Sequence, residues 1–264
     1  MTNMLNALFF RLRKMKLLWI LLAVLVALSI ADTGLYQVIL DMAGGDMGDL
    51  SMILGGDTFV LSMSAVAKGD SYSAILTVIF VALFIGADFS DGTLRNAVLA
   101  NKGRWQIFAA YTIVSLVVSL GFVAVQTIVY VIYLAFAGVW ATYAPSVVLT
   151  GLFSGFGIGV VTCWAVAMMT LLTLVLFKKK SLAIILPLVV VIVLSAVLEV
   201  YYLLSLIAGS NAEVCEWIPF IQQMLFDASL HDGALLGKIL LTNSLLSIVL
   251  GAVGGLVFAK AELK

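Results

Sequence analysis

The chain has 264 residues, of which 64% are hydrophobic and only 11% are charged, and its formal net charge is zero. Soluble domains carry about 25% charged residues, so this composition excludes an ordinary water-soluble domain. Only helices and closed barrels satisfy their backbone groups inside a bilayer, and the sequence lacks the period-two alternation of a barrel. It therefore predicts an all-α polytopic membrane protein.

The first predicted element is a basic amphipathic helix over residues 3–16. Four apolar side chains share one face of this helix: Leu5, Leu8, Leu12 and Met15. Three basic side chains are expected to turn away from that face: Arg11, Arg13 and Lys14. We expect the helix to lie along the inner membrane surface. An N-terminal segment that only directs topology fits the same residues equally well.

Six apolar stretches are predicted to cross the membrane as helices within a single transmembrane domain, residues 1–264. These spans cover residues 17–40, 73–87, 105–138, 147–177, 181–207 and 239–259. Twelve of the fourteen lysines and arginines lie before span one, after span two, after span four or near the C-terminus. Because cytoplasmic loops carry an excess of basic residues, both termini are predicted to be cytoplasmic.

Two long connections are predicted on the outer side of the membrane. Residues 41–72 are rich in glycine and aspartate, but these aspartates lack the spacing of a calcium loop. An ordinary solvated loop is therefore predicted there in preference to a metal site. Residues 208–237 contain an apolar patch, interrupted by Pro219, that is too short to cross the membrane. We expect a re-entrant or interfacial helical pair there, between spans five and six.

Enzyme motifs are absent from the sequence. The single histidine, His231, cannot form a paired-histidine zinc site, and no phosphate-binding loop of the form GxxxxGK[ST] occurs. The basic residues are accounted for by topology, which leaves no nucleic-acid-binding pattern. We therefore predict no catalytic residues and no cofactor in this chain, and a source of energy outside it.

Asp32 and Glu199 are acidic residues within the predicted spans. A charge at the bilayer centre costs roughly 2.5–3.5 kcal/mol on insertion scales, so their positions require an explanation. Both lie well beyond the midplane when residues are counted from the cytoplasmic end of their spans. Two interpretations remain open, the lining of a polar pathway and simple placement at the outer interface.

The connection between spans two and three has a distinctive composition. Asp88 and Asp91 follow the apolar stretch, Gly92 permits a sharp turn, and Thr93 can cap a new helix. The basic side of that helix would present Arg95, Lys102 and Arg104. The sequence therefore predicts a short cytoplasmic helix beneath the membrane.

This connection resembles the coupling region of permease subunits in type-2 ATP-binding-cassette (ABC) exporters. The matching residues are Asp88, Phe89, Gly92, Thr93, Leu94, Arg95 and Arg104. Asp88 departs from the family pattern, which usually has glutamate at that position. The family layout also has an N-terminal interfacial helix, six spans and a re-entrant helical pair before the last span.

The resemblance implies a set of partners. Two permease subunits would pair in the cell membrane, among its lipids, and dock on two separate ATPase subunits that bind ATP and Mg²⁺. Asp88 and Arg95 would make polar contacts at that joint, and Gly92-Thr93 would form its turn. Four residues in spans two and five are implied as pathway candidates: Ser73, Thr77, Glu199 and Tyr202.

The substrates typical of the family, together with the apolar composition of this chain, favour export of a hydrophobic or amphipathic substrate, either an antimicrobial peptide or a drug. The alternative is a membrane-embedded immunity or binding protein, or a membrane enzyme, that needs no motor. A copurifying chain with a GxxxxGK[ST] loop would distinguish the two. An ion channel would require a ring of carbonyls or acids, and none is identified in the sequence.

Overall fold

The structure is a computed structural model that describes residues 2–42, 63–66, 71–90, 94, 103–136, 145–207, 217 and 233–260. Seven helices account for most of these residues. They are α1 (Thr2–Lys14), α2 (Lys16–Met42), α3 (Tyr72–Ser90), α4 (Arg104–Phe136), α5 (Pro145–Phe177), α6 (Lys180–Ile207) and α7 (Gly233–Lys260). Within the described ranges, the all-helical class predicted from composition is confirmed.

Six of these helices, α2 to α7, are long and apolar enough to cross a membrane, so the chain has the architecture of a multi-pass membrane protein. The first five begin within two residues of their predicted starts. The sixth begins at Gly233 rather than at residue 239. Its first turns contain two glycines and Lys238, which lower local hydropathy without interrupting the helix.

Helix α5 lies at the centre of the bundle and packs against α3, α4, α6 and α7. Its sequence is apolar around the whole circumference, as is typical of an interior helix. Small residues let neighbouring backbones approach it, and Gly151 and Gly155 are both buried. At Gly159, an added Cβ would lie 2.7 Å from the carbonyl oxygen of Val66.

Val66 belongs to a single helical turn, residues 63–66, that packs into the bundle. Met63 and Val66 are both fully buried, in a cluster that includes Tyr130, Ile158 and Ile239. This part of the connection between α2 and α3 was expected to be solvated loop. Its apolar side chains instead fill space between α4, α5 and α7. Residues 43–62 and 67–70 lie outside the described part of the chain.

Helix α1 covers most of the segment for which an N-terminal amphipathic helix was predicted. Leu8 is buried, and Leu5, Leu12 and Met15 pack against the same cluster. The placement of α1 along a membrane surface stays a prediction. The cytoplasmic helix also stays a prediction, since residues 91–93 and 95–102 lie outside the described residues. The helical pair between spans five and six stays one too, because only Trp217 of that segment is described.

Candidate functional site

Asp88 lies near the C-terminal end of α3 and is only 4% exposed. One carboxylate oxygen forms an ion pair with the guanidinium of Arg11, on α1. The hydroxyl of Tyr111, on α4, donates a hydrogen bond to the other oxygen at 2.9 Å. Both oxygens of this buried acid therefore have partners, supplied by two different helices. We call Arg11, Asp88 and Tyr111 the buried triad.

Arg11 makes further contacts with α3. Its guanidinium donates a hydrogen bond to the backbone carbonyl oxygen of Phe84, and its central carbon lies 4.4 Å from the centroid of the Phe84 ring. The planar, multidentate guanidinium suits a site that combines a carboxylate, a carbonyl and an aromatic face. The Arg11 side chain is 37% exposed, so it reaches from the chain surface into the interior.

The position of Arg11 differs from the sequence expectation. Arg11 was expected to turn away from the apolar face of α1, and among the three basic residues only Arg13 and Lys14 are exposed. Arg11 follows Leu8 by three positions, so it lies at the edge of the apolar face. Its long side chain can then extend toward Asp88 while its charged group stays partly hydrated.

The residues that flank the undescribed connection after α3 are also held in place. Phe89 is partly buried, and its ring meets the Phe258 ring edge-on at a centroid distance of 6.2 Å. Leu94 is 3% exposed and belongs to the largest apolar cluster. At the far end, Arg104 donates a hydrogen bond to the carbonyl oxygen of Ala259 at 2.8 Å. This contact satisfies a carbonyl in the last turn of α7, where a positive charge is also favourable.

Seven residues were assigned to the coupling motif from the sequence. Asp88, Phe89, Leu94 and Arg104 are described, and each is anchored to the bundle. Gly92, Thr93 and Arg95 lie outside the described residues. The contacts proposed for Asp88 and Arg95 with a partner ATPase stay a prediction. Within this chain, the carboxylate of Asp88 is held by Arg11 and Tyr111.

Two of the four pathway candidates are interior residues of the bundle. Ser73 and Thr77 are fully buried. The thiol of Cys163, on α5, donates to the Thr77 hydroxyl at 3.2 Å, and the Ser73 backbone N–H donates to Gln126 Oε1 at 3.3 Å. These contacts join α3 to α4 and α5. Glu199 and Tyr202 lie on α6, but their side chains are outside the described part, so a pathway role stays a prediction for all four.

A second polar cluster, which is only partly buried, surrounds Asp32 on α2. The Tyr130 hydroxyl donates to Asp32 Oδ2 at 2.8 Å, and the Tyr72 hydroxyl donates to Oδ1 at 3.4 Å. Gln126 lies behind Tyr130 and donates to its hydroxyl oxygen at 3.4 Å. The sequence drew attention to Asp32 but not to its partners. The sequence positions of Tyr72 and Tyr130 do not show which neighbouring helix each side chain faces.

Among the described residues, no group of three or more histidine, cysteine, aspartate or glutamate side chains is arranged to hold a metal ion. The buried triad joins α3 to α1 through an ion pair and to α4 through a hydrogen bond. Comparison of the sequence with protein-family models and with curated proteins finds no match.

Proposed function

We propose that this chain is the transmembrane permease subunit of an ATP-driven exporter of the type-2 ABC class. It would lie in the cell membrane with both termini cytoplasmic. The observation that carries the proposal is that the residues flanking the connection between α3 and α4 are held to the bundle on both sides. The buried triad, with Phe89, holds the α3 end, and the Arg104 contact with Ala259 holds the α4 end to α7.

Such anchoring suits a segment that receives mechanical work from a partner. Separating Arg11 from the buried Asp88 would cost about 1–3 kcal/mol, less than for a fully buried pair because Arg11 is partly exposed. A modest displacement of the segment would therefore move α1, α3 and α4 together. A motor that binds two conformations of the segment unequally then shifts the equilibrium between two conformations of the bundle. The exported substrate is hydrophobic or amphipathic, with an antimicrobial peptide or a drug favoured.

The distribution of buried surface favours a second permease subunit. In α3, α4 and α5, between 56% and 67% of the most apolar window is buried within this chain. In α2, α6 and α7 the share is only 22–28%. These outer helices leave broad apolar faces for lipid and for a second permease chain. Two ATPase subunits, which bind ATP and Mg²⁺, complete the proposed assembly.

The proposal is tested by purifying the chain in mild detergent and identifying copurifying chains by mass spectrometry. We expect an ATPase with a GxxxxGK[ST] loop. Arg95→Glu reverses a charge at the proposed joint and is expected to reduce recovery of that ATPase. The matched control is Arg13→Glu, the same change at an exposed position on α1, which is expected to leave recovery unchanged.

An unchanged yield of the ATPase with Arg95→Glu and with Asp88→Ala would remove the coupling role assigned to residues 88–104. Absence of any ATPase from wild-type preparations would instead favour the alternative, a membrane-embedded immunity or binding protein, or a membrane enzyme, that works without a motor.

A further inference from the structure

The connection between α5 and α6 is a two-residue turn with three consecutive lysines. Helix α5 ends at Phe177, and α6 begins at Lys180. The backbone N–H of Lys178 donates to the carbonyl oxygen of Leu174 at 2.8 Å, and Lys178 has a φ of 53°. Together these are the features of a left-handed helix cap, so the backbone sets the direction in which Lys179 and Lys180 leave the helix end. We call residues 178–180 the lysine turn.

The charges of Lys179 and Lys180 are not neutralised within this chain. Neither side chain has an ion pair or a hydrogen bond in the described structure, whereas Arg11 is paired with Asp88. Helix α5 contains no acidic residue, and the only acid of α6, Glu199, lies near the opposite end of that helix. Two ammonium groups therefore lie side by side without an anionic partner.

The stem of Lys180 is held against α3. An added Cβ at Gly86 would lie 2.8 Å from Cγ of Lys180 and 3.6 Å from its Cδ, so the methylene groups of Lys180 pack closely on this glycine. Lys180 is partly buried, and Lys179 is exposed. Basic side chains often lay their methylene groups on apolar surface and keep the ammonium group in water. The folded chain thus already restricts one of the two cations, which lowers the ordering cost of binding an anion.

Exposed apolar side chains lie beside the lysine turn. Leu176 and Phe177 in the last turn of α5 are exposed, and so is Ile185 near the start of α6. Both helices are long and apolar enough to cross a membrane, so their ends lie where the apolar core of the bilayer gives way to the headgroups. The surface therefore presents positive charge at headgroup level and apolar side chains next to it.

We propose that the lysine turn binds the headgroup of an anionic phospholipid. The lipid phosphate accepts charge-assisted hydrogen bonds from Lys179 and Lys180, while the acyl chains lie against Leu176, Phe177 and Ile185. A molecule of this class supplies both the negative charge and the apolar cover, whereas a soluble anion supplies only the charge. Basic sites between membrane helices recognise anionic lipids in this way. The inference goes beyond the proposed exporter function and requires only that α5 and α6 cross a membrane.

The test uses the full-length chain, stripped of lipid in mild detergent and then given equal amounts of phosphatidylglycerol and phosphatidylcholine with identical acyl chains. Native mass spectrometry counts the molecules of each lipid that stay bound. We expect the wild-type chain to retain phosphatidylglycerol with a preference of about tenfold, as expected for two lysines at a membrane surface. Equal retention of the two lipids by the wild-type chain would overturn the proposal.

Paired substitutions locate the preference. Lys179→Gln combined with Lys180→Gln is expected to remove most of it, and Lys179→Arg combined with Lys180→Arg to retain it. Gly86→Ala removes no charge but displaces the Lys180 stem, and is expected to reduce the preference. The matched control is Arg13→Gln combined with Lys16→Gln, which removes two charges at exposed positions and is expected to leave most of the preference. Equal effects of the two glutamine pairs would show that only net charge matters and would overturn the proposal.

Two other occupants of the lysine turn are distinguished by the same preparations. Displacement of phosphatidylglycerol by glycerol phosphate would show that a soluble anion suffices, and would overturn the lipid assignment. Reduced recovery of an ATPase with an unchanged lipid preference, in the chain with Lys179→Gln and Lys180→Gln, would assign the turn to the ATPase and would also overturn it. A lipid preference that depends on the two lysines in preparations without any ATPase would support the lipid site and count against the exporter function.

Discussion

Arg11 and Asp88 are 77 positions apart in the sequence and form an ion pair at the end of α3. The contact joins an N-terminal helix, which the sequence treats as peripheral, to the residue that precedes the predicted coupling segment. Because Asp88 is nearly inaccessible to water, the pair is not an ordinary surface salt bridge of negligible energy. It makes α1 a structural part of the bundle.

Replacement of Arg11 tests this relationship. Arg11→Met keeps the length of the side chain and removes its charge, so the buried carboxylate of Asp88 loses its ion pair with Arg11. We expect the free energy of unfolding to fall by about 1–3 kcal/mol, below the usual range for a buried pair because Arg11 is partly exposed. Arg13→Met, at an exposed position on the same helix, is expected to change it by less than about 0.5 kcal/mol. Denaturant unfolding in detergent measures both, and equal losses would contradict the account.

Tyr111 provides the second prediction. Tyr111→Phe removes the hydroxyl that donates to Asp88 while keeping the aromatic ring, and we expect a loss of about 1–3 kcal/mol, as for hydrogen bonds to charged groups. The same change in an Asp88→Asn background is expected to cost less, because the charged acceptor is gone. A double-mutant cycle measures this coupling. Strict additivity of the two changes would show that Tyr111 and Asp88 act independently.

Two glycines on α5 provide a matched test of packing. An alanine Cβ at Gly159 would lie 2.7 Å from the carbonyl oxygen of Val66, whereas at Gly157 the nearest atom is a Leu240 methyl at 3.9 Å. We expect Gly159→Ala to lower the free energy of unfolding, measured by denaturant unfolding in detergent, by about 1–3 kcal/mol, since the buried turn must move. Gly157→Ala is expected to be neutral, or stabilising by up to about 1 kcal/mol through helix propensity. The reverse order would refute the packing of residues 63–66 against α5.

Replacement of Arg104 separates two roles, the binding of the ATPase and the transmission of its movement to the helical bundle. Arg104→Gln removes the charge that holds the start of α4 to the Ala259 carbonyl, while the proposed docking residues remain. In the reconstituted assembly, we expect ATPase recovery to be unchanged and ATP-driven transport to fall by about three- to tenfold. Lys260→Gln, at an exposed position beside Ala259, is the control. Equal effects of the two changes would remove the role assigned to Arg104.

The sequence predicted the six membrane-length helices well, because long apolar runs have few other stable arrangements in a bilayer. It missed the early start of α7, where Gly233, Gly237 and Lys238 resemble loop residues. It also missed the burial of residues 63–66, since a short apolar turn inside a polar connection carries no periodic signal.

The candidate site was predicted only in part. The sequence drew attention to Asp88 and Asp32, because acids next to or within apolar stretches are uncommon. The partners of these acids could not be predicted. Arg11, Tyr111 and Tyr130 reach them through long-range packing, and the helical pattern of α1 assigned Arg11 to the wrong side.

The central claim is that another polypeptide hydrolyses the nucleotide that drives this chain. Its most direct measurement is transport of a fluorescent amphipathic substrate in proteoliposomes that contain the chain alone, the chain with its copurified ATPase, or both with ATP withheld. The account predicts transport only when the chain, the ATPase and ATP are all present. Full transport by the chain alone would contradict it.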